Sequence, residues 1–252
     1  MHTHRRIRSF VLRAGRTTPA QERALSELWP CYGISLGEAP LDFAAIFGRI
    51  APRCLEIGFG AGEVIGSLAE THPEIDYLGI EVHRSGVGRL LLRAEQQGLK
   101  NLRIICHDAV EVLRGHVPAD SFDEVLVFFP DPWHTKRHHK RRLIDPGFAS
   151  LVTAAMRVGG TLRLATDWQD YAEQMLAVCN AQPQLESLSP DLGYAARPGF
   201  RPPTRFERRG ERLGHGVWDL AYAKRAVSRL QETAADAVDD ELHRQRGEDD
   251  AR

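Results

Sequence analysis

The sequence predicts an α/β fold, a mostly parallel sheet covered by helices on both faces. From Arg53 onward, short apolar segments alternate with segments whose apolar residues recur at helical spacing, the pattern of parallel strands joined by crossover helices. The 252 residues are 42% hydrophobic and 27% charged. That composition supports one large core and excludes disorder throughout, a collagen-like fibre and a disulfide-dense mini-protein. The first apolar segment also runs into a glycine-rich loop that opens a helix, as in sheets that bind a ligand beyond their strand ends.

Taken in order, residues 1–21 hold Arg5, Arg6, Arg8, Arg13 and Arg16 without an acid and form a basic arm. Thr18, Pro19 and Gln21 then supply an N-cap, a proline at the first helical position and a capping-box partner, opening a helix to about Trp29. Gly33 and Pro40 mark a loop. Strands are expected over Arg53 to Ile57, Asp76 to Glu81, Leu102 to Cys106, Glu124 to Phe129 and Thr161 to Ala165, with His215 to Ala223 as a last strand. The intervening helices carry stripes such as Val64, Ile65, Leu68 and Ala69, then Val87, Leu90, Leu91 and Ala94, then Phe148, Leu151, Val152 and Ala155. These read as core. Residues 180–210, rich in Pro, Gly, Ser and Arg, read as a long surface excursion. The chain thus divides into the arm, a single domain over residues 22–230, and an acidic tail over residues 231–252 expected to be flexible.

The formal net charge of -1 hides an asymmetry. The tail holds eight acids against three arginines, while His134 to Arg142 reads HTKRHHKRR with five fixed cations and no acid. Arg197 to Arg212 adds six arginines against two glutamates. Three separated cationic patches on an otherwise balanced chain point to a polyanion, most plausibly nucleic acid. The longest apolar run, Val125 to Phe129, is far short of the roughly 18 residues a bilayer span needs. A cytoplasmic protein with no membrane partner is therefore expected. Cys31, Cys54, Cys106 and Cys179 stand singly, as reduced thiols rather than a disulfide frame or zinc site.

The chemistry sits after the strands. The first ends in Glu56-Ile57-Gly58-Phe59-Gly60-Ala61-Gly62, with an acid two residues before the first glycine. That spacing departs from the dinucleotide fingerprint and suits a cation better than a pyrophosphate. The second strand ends at Glu81, placed to accept ribose hydroxyls, and the third is followed by Asp108 and Ala109, placed to meet an adenine amine. Three acids and no phosphate-binding lysine describe a nucleoside with positive charge, which is S-adenosylmethionine. Each acid could instead cap a helix. The fourth strand ends in Phe129-Pro130-Asp131-Pro132-Trp133, two prolines fixing the backbone around one carboxylate. His134 and His138 are four apart, but Lys136, Arg137 and Lys140 beside them would repel a dication, and no metal is expected.

The segments LEIGFGAGE, YLGIEVH, FFPDPWHTKRHHKRR, LATDWQDYAEQML, RPPTRFERRG and GHGVWDL resemble the bacterial tRNA (guanine-N7-)-methyltransferase family over about residues 8–223. The resemblance implies a Rossmann-like class I methyltransferase with a seven-stranded sheet, S-adenosylmethionine as cofactor, and transfer of its methyl to N7 of a guanine in the tRNA variable loop. It implies cofactor contacts from Glu56, Gly58, Gly60, Gly62, Glu81, Asp108, Ala109 and Asp131, with Asp131 also the catalytic residue. Asp167 and Thr204, Arg205, Phe206 and Glu207 would meet the substrate, and Arg137, His138, His139, Lys140, Arg141 and Arg142 the RNA. Where many members have Lys directly after Trp-His, this chain has Thr135 and then Lys136, so both are candidates for substrate binding. Arg205 stands where Lys is commoner, keeping charge but not geometry. The competing readings are a methyltransferase of protein or small molecules and a non-catalytic RNA-binding protein on the same scaffold. Monomer and homodimer are both compatible with the sequence.

Overall fold

The computed structural model describes residues 8–11, 17–202 and 216–226. Its elements are α1 (Pro19–Glu27), α2 (Trp29–Tyr32), α3 (Phe43–Phe47), β1 (Arg53–Ile57), α4 (Glu63–Thr71), β2 (Asp76–Ile80), α5 (Arg84–Gln97), β3 (Leu102–Ile105), α6 (Ala109–Gly115), β4 (Phe122–Phe128), α7 (Pro146–Ala155), β5 (Met156–Thr166), α8 (Gln169–Asn180), β6 (Leu185–Ser187) and β7 (Trp218–Lys224). Short 3-10 helices span Lys136–Arg141 and Pro190–Leu192.

The strands form one seven-stranded sheet in the order β3-β2-β1-β4-β5-β7-β6. β1 to β5 run parallel, and β7 is antiparallel to both neighbours. The chain moves outward from β1 through β3 and returns beside β1 as β4, so the carboxyl ends of β1 and β4 flank the topological switch point where such sheets bind ligands. Alternating residues send the two faces into separate cores. Leu55, Ile57, Val125, Val127, Leu162 and Leu164 pack with α6, α7 and α8, whereas Cys54, Tyr77, Ile104, Leu126 and Phe128 pack with α1, α4 and α5.

Local chemistry sets the boundaries. Thr18 caps α1 with the full capping box to Gln21, and the side chains of Asp42, Asp108 and Asp145 cap α3, α6 and α7. β5 begins at Met156, five residues before the expected Thr161, with a register shift against β4 between Phe122 and Glu124. Gly159 and Gly160 lie inside this strand. A Cβ on Gly160 would come within 3.1 Å of the Phe122 and Asp123 carbonyl oxygens, so the missing side chain permits the irregular pairing. The expected surface excursion also needs correction. It contains the edge strand β6, and Arg201 within it is buried. Residues 1–7 and 12–16 of the basic arm and the whole acidic tail lie outside the described residues.

Candidate active site

The loop after β1 is shaped for close approach. Gly60 adopts φ +57°, and a Cβ on Gly86 at the start of α5 would sit 2.1 Å from the Gly60 carbonyl oxygen, so this loop and α5 meet backbone to backbone. Gly58 and Gly60 line a cavity of about 380 Å³, within the usual size range of small-molecule sites. Gly62 does not line it. It is the N-cap of α4 at φ +74°, and a Cβ there would meet Leu90 Cδ1 at 2.7 Å, so helix packing also requires a glycine here.

The four acids expected after four strands converge on this cavity: Glu56, Glu81, Asp108 and Asp131 all line it, as does Ala109. Glu56 is buried, its Oε2 has no hydrogen-bond partner, and burial pushes its carboxyl up to about 8, with the Glu81 charge adding to the rise. Glu81 is tied into the backbone, accepting from Gly60 N (2.9 Å), Val82 N (2.7 Å) and His83 N (2.9 Å). Asp108 caps α6 by accepting from Val110 N at 2.9 Å while facing the cavity. A carboxylate offers about four acceptor sites, so capping and ligand contact are compatible. Asp131 is exposed as well as lining, which places it where the cavity meets solvent.

The turn carrying Asp131 is strained and braced. Phe129 and Trp133, on either side of Pro130-Asp131-Pro132, have φ of +55° and +46°, costly for aromatic residues and characteristic of functional turns. Phe129 N donates to Ala165 O at 2.8 Å, keeping the turn beside the end of β5. Beneath it, the Arg201 guanidinium lies 5.0 Å from the Phe128 ring centroid and 5.4 Å from that of Phe129. The Trp133 indole N–H donates to Ser9 O at 3.0 Å, and Arg141 lies 4.6 Å over the indole ring. These contacts give Trp133 a structural role in the turn. Ser9 and Phe10 themselves line the cavity.

The basic run folds as the 3-10 helix Lys136–Arg141. Thr135, Lys136, Arg137 and Lys140 are exposed; His138, His139 and Arg141 are half-buried. Arg142 departs from the RNA contact expected of it. Its side chain is buried and bonded to Pro132 O, Gln174 and Asp170, where it holds the Asp170 carboxyl below its ordinary range. Asp167 lines a second hollow with Trp168, Asp170, Glu173, Gly216 and Trp218. The His134 ring packs edge-on to Trp168 with centroids 4.1 Å apart, joining the Asp131 and Asp167 loops. Thr204, Arg205, Phe206 and Glu207 lie outside the described residues.

Sequence reasoning missed Phe10, Arg89, His83 and His107 in the lining, and also the Arg201–Asp219 pair. His83 and His107 stand directly beside predicted strand ends and were open to detection; Phe10 and Arg201 reach the site only through tertiary folding.

Five lining acidic side chains, Glu56, Glu63, Glu81, Asp108 and Asp131, stand against one fixed cation, Arg89, among the described residues. That balance, the unpartnered buried Glu56 oxygen and the open space over Gly58 and Gly60 fit S-adenosylmethionine and disfavour a pyrophosphate. Glu56 would meet a cationic group, Glu81 the ribose hydroxyls and Asp108 the adenine amine.

Known proteins resemble this chain in sequence and fold. Residues 50–220 match the family model described as "Putative methyltransferase". A tRNA (guanine-N(7)-)-methyltransferase of Burkholderia pseudomallei is 57% identical over 88% of this chain and 83% of its own. One from Alcanivorax borkumensis is 50% identical over 88% and 93%. Among solved structures, the 16S rRNA methyltransferase KamB has a TM-score of 0.52 at 16% identity, over 77% of this chain and 98% of its own, and shares the fold. With relatives this similar over nearly their whole length, and with four strand-end carboxylates on one cavity, the chain belongs to the tRNA (guanine-N7-)-methyltransferase family.

Proposed function

We propose that this chain methylates N7 of a guanine in the variable loop of tRNA with S-adenosylmethionine. The observation that carries the proposal is the position of Asp131. It stands at the exposed edge of an acid-lined cavity, on the turn that leads directly into the cationic helix Lys136–Arg141. When bound, S-adenosylmethionine supplies a methyl group on a sulfonium, with a neutral thioether as leaving group.

Guanine N7 presents an in-plane lone pair and bears no proton. The N7–methyl bond forms as the sulfur–methyl bond breaks, positive charge passes into the purine ring, and no proton moves. The chain therefore supplies no general base, and its work is positioning and electrostatics. Asp131 holds a negative charge beside the path of the transferred positive charge. Asp167, on the loop after the neighbouring strand β5, can accept the adjacent N1–H and N2–H donors of guanine and so reject adenine. Loss of such a bidentate contact costs about 1–3 kcal/mol of discrimination. Thr135 and Lys136 are exposed just after the Asp131 turn, and Arg137 and Lys140 offer exposed charge to phosphates, which makes affinity strongly salt-dependent.

The test is incubation of the protein with methyl-labelled S-adenosylmethionine and an unmodified tRNA transcript, followed by chain cleavage at N7-methylguanine. Label at one variable-loop guanine, absent with Asp131→Ala, is expected. Cofactor binding without tRNA labelling would defeat the reading.

A further inference from the structure

Arg142 closes a run of cations, yet its side chain is 1% exposed and its donors point inward. Nε donates to Pro132 O at 2.9 Å, Nη1 donates to Gln174 Oε1 at 2.7 Å, and Nη2 donates to Asp170 Oδ2 and lies 3.1 Å from His139 Nε2. The guanidinium also rests 4.8 Å from the Tyr171 ring centroid. Tyr171 Oη in turn accepts from Ile144 N at 3.0 Å, and Gln174 Nε2 donates to Ile144 O at 3.0 Å, so the chain following Arg142 is fixed to α8 as well.

These partners belong to three separate pieces. Pro132 is the residue after Asp131, His139 lies in the cationic helix, and Asp170 and Gln174 are one turn apart at the start of α8. Asp167 precedes that helix by two residues. We propose that Arg142 is a positioning residue that locks the Asp131 turn to the N-terminal end of α8, and thereby to Asp167, rather than a contact for RNA phosphate. The proposal rests on the reading of Asp131 as the methyl-transfer carboxylate. Only a planar fork with five donors reaches acceptors in three directions from one buried point; an ammonium on the same stem keeps the charge but loses the span. Because the turn at Phe129 and Trp133 holds strained backbone, its shape depends on such bracing. A shift of about 1 Å at a reacting group costs on the order of 100-fold in rate.

The two roles separate in kinetics. For a positioning residue, Arg142→Lys and Arg142→Gln both lower kcat on the order of 100-fold, while KM for tRNA and the slope of log affinity against log salt stay within wild-type error. Lys140→Gln, at an exposed cation of the helix Lys136–Arg141, is read for the salt slope alone and lowers it by about 1. For a phosphate contact, Arg142→Lys retains kcat, and Arg142→Gln lowers the slope by about 1; that pattern overturns the proposal. Should neither Arg142 variant fold, Gln174→Met and Asp170→Ala are read in its place, and a kcat unchanged in both overturns it. The wild type is assayed alongside, and an inactive wild type rejects the methyl-transfer reading instead.

Discussion

Arg201 and Asp219 form a buried bidentate ion pair, Nη1 to Oδ1 at 2.6 Å and Nη2 to Oδ2 at 3.0 Å. Arg201 belongs to the segment after α8 and Asp219 to β7, so the pair pins that segment to the sheet. Its aromatic neighbours, Phe128 and Phe129, form the approach to the Asp131 turn. The charge is therefore structural, in a stretch whose composition resembles a surface cationic patch.

Asp219→Ala removes the bidentate partner of a buried guanidinium. A broken buried pair of this kind costs about 3–5 kcal/mol. Urea unfolding is expected to show that loss, accompanied by reduced activity, because the Phe129 support loosens. Undiminished stability would mean that water reaches Arg201.

Asp131→Asn tests the electrostatic part of the mechanism with little change in shape. Asp131 is exposed and sits on a turn fixed by its neighbours, so melting temperature is expected to stay put while kcat falls about 100-fold or more, the scale seen when one electrostatic stabiliser is removed. A loss confined to KM would assign it to ground-state binding.

Cofactor binding should release a proton. Burial raises the Glu56 carboxyl to about 8, and a cationic ligand favours its ionised form. Affinity for S-adenosylmethionine is expected to rise with pH up to about 8 and then level off. The sign for folding is opposite: between the ordinary carboxylate range and pH 8 the folded state binds more protons than the unfolded chain, so this group's contribution falls as pH rises through that window. Calorimetry at pH 7 in buffers of different ionisation enthalpy measures the released proton, which Glu56→Gln abolishes.

Trp133→Phe removes the indole N–H that donates to Ser9 O while keeping an aromatic ring under Arg141. Since Ser9 and Phe10 line the cavity, loss of one hydrogen bond of about 1 kcal/mol weakens cofactor affinity by up to about fivefold. Equilibrium dialysis measures it; unchanged affinity would detach this segment from the site.

Much of this was legible in the residues. β1 falls on the expected Arg53 to Ile57, and β2 and β3 end within one residue of expectation, because buried parallel strands are continuous apolar runs closed by chemically distinct turns. Glu56, Glu81, Asp108 and Asp131 reach one cavity because topology alone brings strand ends together. Other features escaped for physical reasons. β6 is three residues long and half-exposed at a sheet edge, which leaves no periodic signal. Gly62 shares its loop with two cavity glycines, and only the packing of Leu90 distinguishes it. Arg142 and Arg201 look like surface cations because charge runs carry no record of which members turn inward.

The most direct test of methyl transfer at N7 changes a single atom. A tRNA transcript carrying 7-deazaguanine at the variable-loop position replaces N7 by a C–H group and leaves the Watson–Crick edge and every phosphate in place. With methyl-labelled S-adenosylmethionine, the account predicts full labelling of the ordinary transcript and none of the deaza transcript, which still binds and competes. Equal labelling of both would contradict it, placing the accepted methyl on another atom.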